Sequence, residues 1–163
     1  MSRQIATEPL TSEAFAPFGQ VIDTAGNPDK IINAGKCGRY HDRVRIDLVG
    51  GRAGVSLFDA EPRSLPYTLD LLERHPDGSQ CFLPMHEHPF LVIVAPDMGA
   101  RPGTPRAFVT APGQGVNFHR ATWHGVLTPL HAPGLFAVID RIGIGANLEE
   151  FPLSEPWEIV AGA

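Results

Sequence analysis

Thiols are scarce in this chain. Cys37 and Cys81 are its only cysteines, far apart and without CxxC spacing, so neither a disulfide framework nor a cysteine zinc knuckle organises the fold. The expectation is two reduced thiols, buried or partly so, and no motif makes either a nucleophile. Basic clusters are missing as well. The net charge is −5 and no run of Lys or Arg stands out, which argues against a nucleic-acid partner. Long apolar runs are absent too: the longest, Pro89–Pro96, falls far short of the roughly 20 residues of a membrane-spanning helix. The start, Met1-Ser2-Arg3-Gln4-Ile5, lacks the apolar segment of a signal peptide, so a cytoplasmic protein with no membrane partner is expected. Finally, no amphipathic 3.6-residue pattern of useful length follows residue 20, which argues against a helical bundle.

What is present suits one domain over residues 1–163. The chain is 43% hydrophobic and 19% charged, a globular balance, and its length allows one packed core but not two. Its 17 glycines and 16 prolines are scattered rather than periodic, as in short strands joined by turns. Residues 4–10 alternate as an edge strand would. Thr11 is placed to cap a short helix, Ser12–Ala16, which Pro17 and Gly19 stop. A brief strand, Gln20–Asp23, leads into a polar loop, Thr24–Gly38. Strand-like runs follow at Val44–Leu48, Val55–Phe58, Tyr67–His75, Gln80–Pro84, Phe90–Ala95, Ala107–Thr110, Gly115–Phe118, Trp123–Thr128 and Leu135–Asp140. Regular short strands without crossover helices predict an all-β, mainly antiparallel barrel or sandwich. The tail, Asn147–Ala163, carries apolar residues that predict packing on the barrel or on a second subunit.

Strict alternation along Tyr67–His75 puts Tyr67, Leu69, Leu71, Glu73 and His75 on one face, and Thr68, Asp70, Leu72 and Arg74 on the other. An apolar face that ends in a carboxylate and an imidazole suits the lining of a barrel mouth. The Pro76-Asp77-Gly78 turn brings the next strand back beside it, with Gln80 facing the same space. A strand-end histidine is also an ordinary core residue; what sets His75 apart is its convergence with Glu73 and Gln80. A second hairpin, Gly113–His124, supplies His124.

The two hairpins resemble the two cupin motifs, H-x-H-x4-E and P-x-G-x2-H. Here Glu73-x-His75-x4-Gln80 has the first spacing and His124 takes the second motif's histidine. Two imidazoles and a carboxylate (Glu73, His75, His124) suit a divalent metal, although Gln80 replaces the usual glutamate.

A closer resemblance lies in Ile32-Asn33-x-Gly35-x3-Arg39-Tyr40-His41-Asp42, Glu73-Arg74-His75-Pro76-x-Gly78-Ser79-Gln80, and Pro89-Phe90-Leu91-Val92-x-Val94-Ala95-Pro96. With Gln114-Gly115-Val116-Asn117, Thr122-Trp123-His124 and Asp140-Arg141-x-Gly143-x-Gly145-x-Asn147-Leu148-Glu149-Glu150, the chain resembles the ureidoglycolate lyase family from about Phe15 to Glu150. The resemblance implies a double-stranded β-helix (cupin jelly-roll) fold and a homodimer. It also implies cleavage of (S)-ureidoglycolate to glyoxylate and urea, with nickel as the cofactor if one is used.

For that chemistry the candidate catalytic residues are Glu73 as general base, His75 and His124 as metal ligands or an acid–base pair, and Gln80 on the ureido group or metal. Arg39, Tyr40 and His41 end a loop that is able to cover the mouth, and equally suit a solvated turn. Arg74, Ser79, Asn117, Arg120 and Arg141 are candidate substrate-binding residues, the two last equally suited to structural duty. His86 and His88 imitate a metal-binding H-x-H pair, but the strand that begins just after them reads as leaving them in an exposed turn. Rival readings are a metal-dependent cupin isomerase or dioxygenase, a hydrolase that releases ammonia from ureidoglycolate, or a binding cupin without catalysis. The first wants a fuller ligand set, and a regulator would normally carry a DNA-binding appendage.

Overall fold

A computed structural model describes residues 3–163, leaving Met1 and Ser2 outside it. The elements run β1 (Arg3–Ala6), β2 (Glu8–Pro9), α1 (Ser12–Phe15), β3 (Gly19–Ile22), β4 (Lys30–Ile32), β5 (Cys37–Arg39), β6 (Arg52–Asp59) and β7 (Tyr67–Arg74). They continue as β8 (Gln80–Pro84), β9 (Phe90–Ala95), β10 (Arg106–Val109), β11 (Gly115–Phe118), β12 (Trp123–His124), β13 (Thr128–Pro129), β14 (Leu135–Ile142) and β15 (Glu149–Val160). Thr11 caps α1 as its position predicts: the Ala14 N–H donates to its Oγ1 at 3.1 Å.

The larger sheet has the order β1-β15-β7-β12-β9-β10-β2, with β13 also on β9, and the smaller one β3-β11-β8-β14-β6. Because β1 and β2 are consecutive in the chain yet stand at opposite ends of the larger sheet, that sheet curls until it nearly closes. The pairing is antiparallel except for β1 on β15 and β2 on β10. This is the cupin jelly-roll architecture that the motifs predict. No helix among the described residues is long and apolar enough to cross a membrane.

The strand β9 is buried along its whole length because its two faces serve two cores. Phe90, Val92 and Val94 join Phe15, Phe82, Phe118 and Phe136 between the sheets. Leu91, Ile93 and Ala95 join Leu69, Leu72, Trp123 and Ile159 within the curl of the larger sheet. Such a strand reads as a continuous apolar run rather than an alternating one.

Three expectations need correction. Val44–Leu48 forms no strand: only Leu48 bridges, to Gly78, while the Arg45 and Asp47 N–H groups donate to side chains of Gln20 and Ser79. Trp123–Thr128 is broken into β12 and β13, with Val126 bonding locally to the Thr128 hydroxyl. The edge strand read over residues 4–10 is split at Thr7 into β1, which pairs with the tail strand β15, and β2, which pairs with β10.

Candidate active site

Strict alternation fails partway along β7. Leu69 and Leu72, three residues apart, both enter the core that contains Trp123. The cause lies on the neighbouring strand: Pro152 stands opposite Leu71 but Trp157 opposite Leu69, so β15 carries extra residues there and the register slips at Asp70. Tyr67 and Leu69 therefore share a side with Leu72 and Arg74. Glu73 and His75 remain on a common side, the opposite one, facing the space between the sheets.

His124 reaches that space from β12, directly across the ladder from Glu73. Its ring centroid lies 5.2 Å from that of His75. One ligand atom from each of Glu73, His75 and His124 falls within 4.8 Å of the others. The hydrogen bonds fix both tautomers. His75 Nδ1 meets the Asn147 carbonyl at 2.8 Å, and His124 Nδ1 meets the Gly125 carbonyl at 2.9 Å. A carbonyl only accepts, so each Nδ1 carries a hydrogen, and in the neutral ring the lone pair is on Nε2. Both Nε2 atoms are buried and have no partner among the described residues. An orphaned buried acceptor is costly and needs an explanation; two of them aimed beside a carboxylate form a donor set for a divalent metal of intermediate softness.

The protonation equilibria agree. His124 is 2% exposed and stacks flat on Phe118 at 4.4 Å. Burial, helped by the charge of His75 and opposed by the Gly125 carbonyl, pulls its pKa down to about 3. Burial pushes the Glu73 carboxyl above its ordinary value; His75 pulls it back and the Glu150 carboxylate pushes it up further.

A profile of the family described as ureidoglycolate lyase matches residues 2–160. Relatives named ureidoglycolate lyase include one from Rhodobacter capsulatus, 62% identical over 154 residues, covering 94% of this chain and 96% of the relative. Another, from Chelativorans sp., is 53% identical over 159 residues and covers 96% of each. One named ureidoglycolate lyase 2, from Rhizobium meliloti, is 52% identical over 153 residues, with 93% and 94% covered. The chain belongs to the ureidoglycolate lyase family.

The remaining residues that the ureidoglycolate lyase resemblance singled out fall into three places. Gln80 lies inside the jelly roll, across the ladder from Phe118, with Oε1 buried and unpartnered and Nε2 donating to Asp140 at 3.2 Å. Ser79 and Arg120 line a separate polar cleft of about 390 Å³ with Gln20, Arg45, Asp47 and His119. Asn117 sits behind it, its Nδ2 donating to Gln20 and to the Arg45 carbonyl. The cleft adjoins the triad through Ala121, whose N–H donates to the His75 carbonyl at 3.0 Å.

The third place is away from the triad. Arg74 lies over Trp123 and pairs with Glu149 and Asp97. Arg141 donates to the carbonyls of Val49 and Ile144. Arg39 ends the β4–β5 hairpin, and the bonds of Tyr40 and His41 stay within that region, to Gly26 and Asp29. His88 is exposed as expected, but His86 is half-buried against Phe136, a departure from the exposed turn read for the pair. Two residues to which the sequence reading gave no role, Asn147 and Asp140, touch His75 and Gln80. Both stand inside the family's last motif, which was the available signal.

Cys37 and Cys81 are free thiols, and burial pushes the Cys81 thiol up to about 11, far from a nucleophile's range.

Proposed function

We propose that this chain cleaves (S)-ureidoglycolate to glyoxylate and urea by acid–base elimination. The observation that carries this reading is the convergence of two unpartnered imidazole Nε2 atoms on the Glu73 carboxylate, in a chain of this family. The substrate carries a hydroxyl, a carboxylate and a ureido nitrogen on one carbon. A base removes the hydroxyl proton, the oxygen's electrons form the aldehyde C=O, and the C–N bond breaks. Its electron pair stays on the ureido nitrogen, which takes up a proton and leaves as urea.

Glu73 suits the base, since partial burial makes its carboxylate more basic than one in water. His124 suits a ligand rather than an acid, because with a pKa near 3 its ring is neutral at pH 7 and its one N–H is held by the Gly125 carbonyl. His75 and His124 would hold a divalent ion, nickel by the family resemblance, with Glu73 beside it. When bound, that ion supplies a positive charge for the substrate's oxygens. Gln80 Oε1 accepts a ureido N–H. Arg120, in the cleft it lines with Ser79, steers the anionic substrate toward the triad, and Asn117 supports that cleft from behind. Arg39, Tyr40 and His41 have no part in this scheme.

Purified protein incubated with (S)-ureidoglycolate is expected to release glyoxylate and urea in equal amounts. Stoichiometric ammonia without urea would move the reaction to hydrolysis, and no turnover at all would favour a binding cupin.

The two free thiols suit a reducing, cytoplasmic setting. The working form is a homodimer, and the edge it buries is β6. All eight residues of β6 pair with β14 on one side, and no strand covers the other among the described residues. Its Val55 and Leu57 are 72% and 65% exposed. A long edge that is apolar between its two charged ends invites pairing, and antiparallel self-pairing brings the Arg52 end of one strand toward the Asp59 end of its copy. Light scattering should find a dimer that Val55→Lys dissociates; a monomeric wild type, or a dimer indifferent to that change, would refute the assignment.

A further inference from the structure

Sheet register extends the site by one residue. The ladder between β14 and β8 pairs Phe136 with Pro84, Val138 with Phe82 and Ile139 with Cys81. Phe82, Phe136 and Val138 all enter the core between the sheets. Continuing the same alternation, Asp140 and Gln80 are the next side chains on that inner face, at its polar end, where Phe118 stacks on His124.

The chemistry of this pair fixes the orientation of the amide. A glutamine presents either an acceptor or a donor to the site, and the two orientations differ only by a flip. A carboxylate accepts and does not donate, so with Asp140 beside it the amide turns Nε2 toward Asp140 Oδ2, at 3.2 Å. That leaves Oε1 buried, unpartnered and pointing away from Asp140. Without Asp140, no hydrogen bond among the described residues selects between the orientations. An amide flipped the other way would put N–H groups among imidazole lone pairs and a carboxylate, where they would compete with the substrate or with an ion.

We propose that Asp140 is a positioning residue, which locks the Gln80 amide with its oxygen toward the triad so that Oε1 receives a ureido N–H of the substrate. The proposal rests on the lyase reading for the identity of that N–H, but not for the orientation of the amide. Asp140 acts through Gln80 and touches no reacting atom.

The test is a double-mutant cycle with Asp140→Asn and Gln80→Leu. Asparagine keeps the size of Asp140 but both accepts and donates, so the Gln80 amide is free to flip. The expected loss for Asp140→Asn alone is about 10- to 100-fold in kcat/KM, the usual scale for a partner that orients a site group. In the Gln80→Leu background the same change should cost almost nothing further, because the group it orients is gone. Losses that simply multiply would overturn the proposal, since Asp140 would then act by another route. A second readout needs no turnover. The side-chain amide protons of Gln80, followed by ¹⁵N NMR in the full-length protein, should exchange slowly in the wild type and rapidly in Asp140→Asn, with the backbone amides of β8 and β14 unchanged. Equal exchange in the two proteins would overturn the locking. A wild type that turns over no ureidoglycolate would sink the lyase reading instead, and the exchange measurement would still decide the orientation.

Discussion

Two pairs of histidines compete for the role of a metal site, and only one of them has its ring nitrogens arranged for it. His86 and His88 have the H-x-H spacing of a metal pair, whereas His75 and His124 are separated by nearly fifty residues. Their ring distances are similar, 5.8 Å for the first pair and 5.2 Å for the second. The difference is in the hydrogens. The His88 N–H donates to His86 Nδ1 at 3.1 Å, so that lone pair is occupied and the hydrogen of a neutral ring sits on Nε2. In His75 and His124 backbone carbonyls take the Nδ1 hydrogen, and both Nε2 lone pairs face a shared space with a carboxylate. Proximity of imidazoles does not make a ligand set; the partners of the other ring nitrogen do.

The largest effect expected from this contrast is catalytic. His75→Ala and His124→Ala should each lower kcat/KM by at least roughly 100-fold, the scale of direct participation in proton or ligand chemistry. His86→Ala and His88→Ala should leave it nearly unchanged. Steady-state assays with ureidoglycolate check this, with circular dichroism to show that each variant folds. An active His124→Ala together with an inactive His86→Ala would put the site at the wrong end of the barrel.

The same contrast shows what sequence reading reaches. Gln80–Pro84, Phe90–Ala95 and Gly115–Phe118 were legible to the residue, since turn-forming Pro and Gly bound apolar runs there. Glu73, His75 and His124 were legible from motif spacing, and they do converge. The slip at Asp70 was not, because its cause is Pro152 and its neighbours on a strand some eighty residues away. The tautomers were not legible either. They are set by carbonyls of Gly125 and Asn147, groups that every residue type carries. Alternation did put Arg74 on the face opposite His75, but it does not reveal that Trp123, Glu149 and Asp97 hold it there.

A smaller effect should appear in stability against pH, measured without metal. The His124 pKa falls from an ordinary value near 6.5 to about 3 in the fold, chiefly through burial. The folded state therefore resists the proton that the unfolded chain accepts. Stability from this source is complete above about pH 6.5 and is lost as pH falls toward 3, by up to roughly 1.4 kcal/mol per pH unit for one proton. His86 shifts in the same direction, through burial first and then the charge of His88, but it is far less enclosed, and its contribution should be smaller. Urea midpoints at pH 7.5 and 5 in the wild type, His124→Gln and His86→Gln separate the two, because every other titrating group is common to all three. The wild type and His86→Gln should lose stability nearly in parallel, while His124→Gln loses distinctly less. If His124→Gln fell as steeply as the wild type, the buried imidazole would not be the neutral group that its Gly125 hydrogen bond and enclosure require. Its case as a metal ligand would then lose the feature that sets it apart from His86.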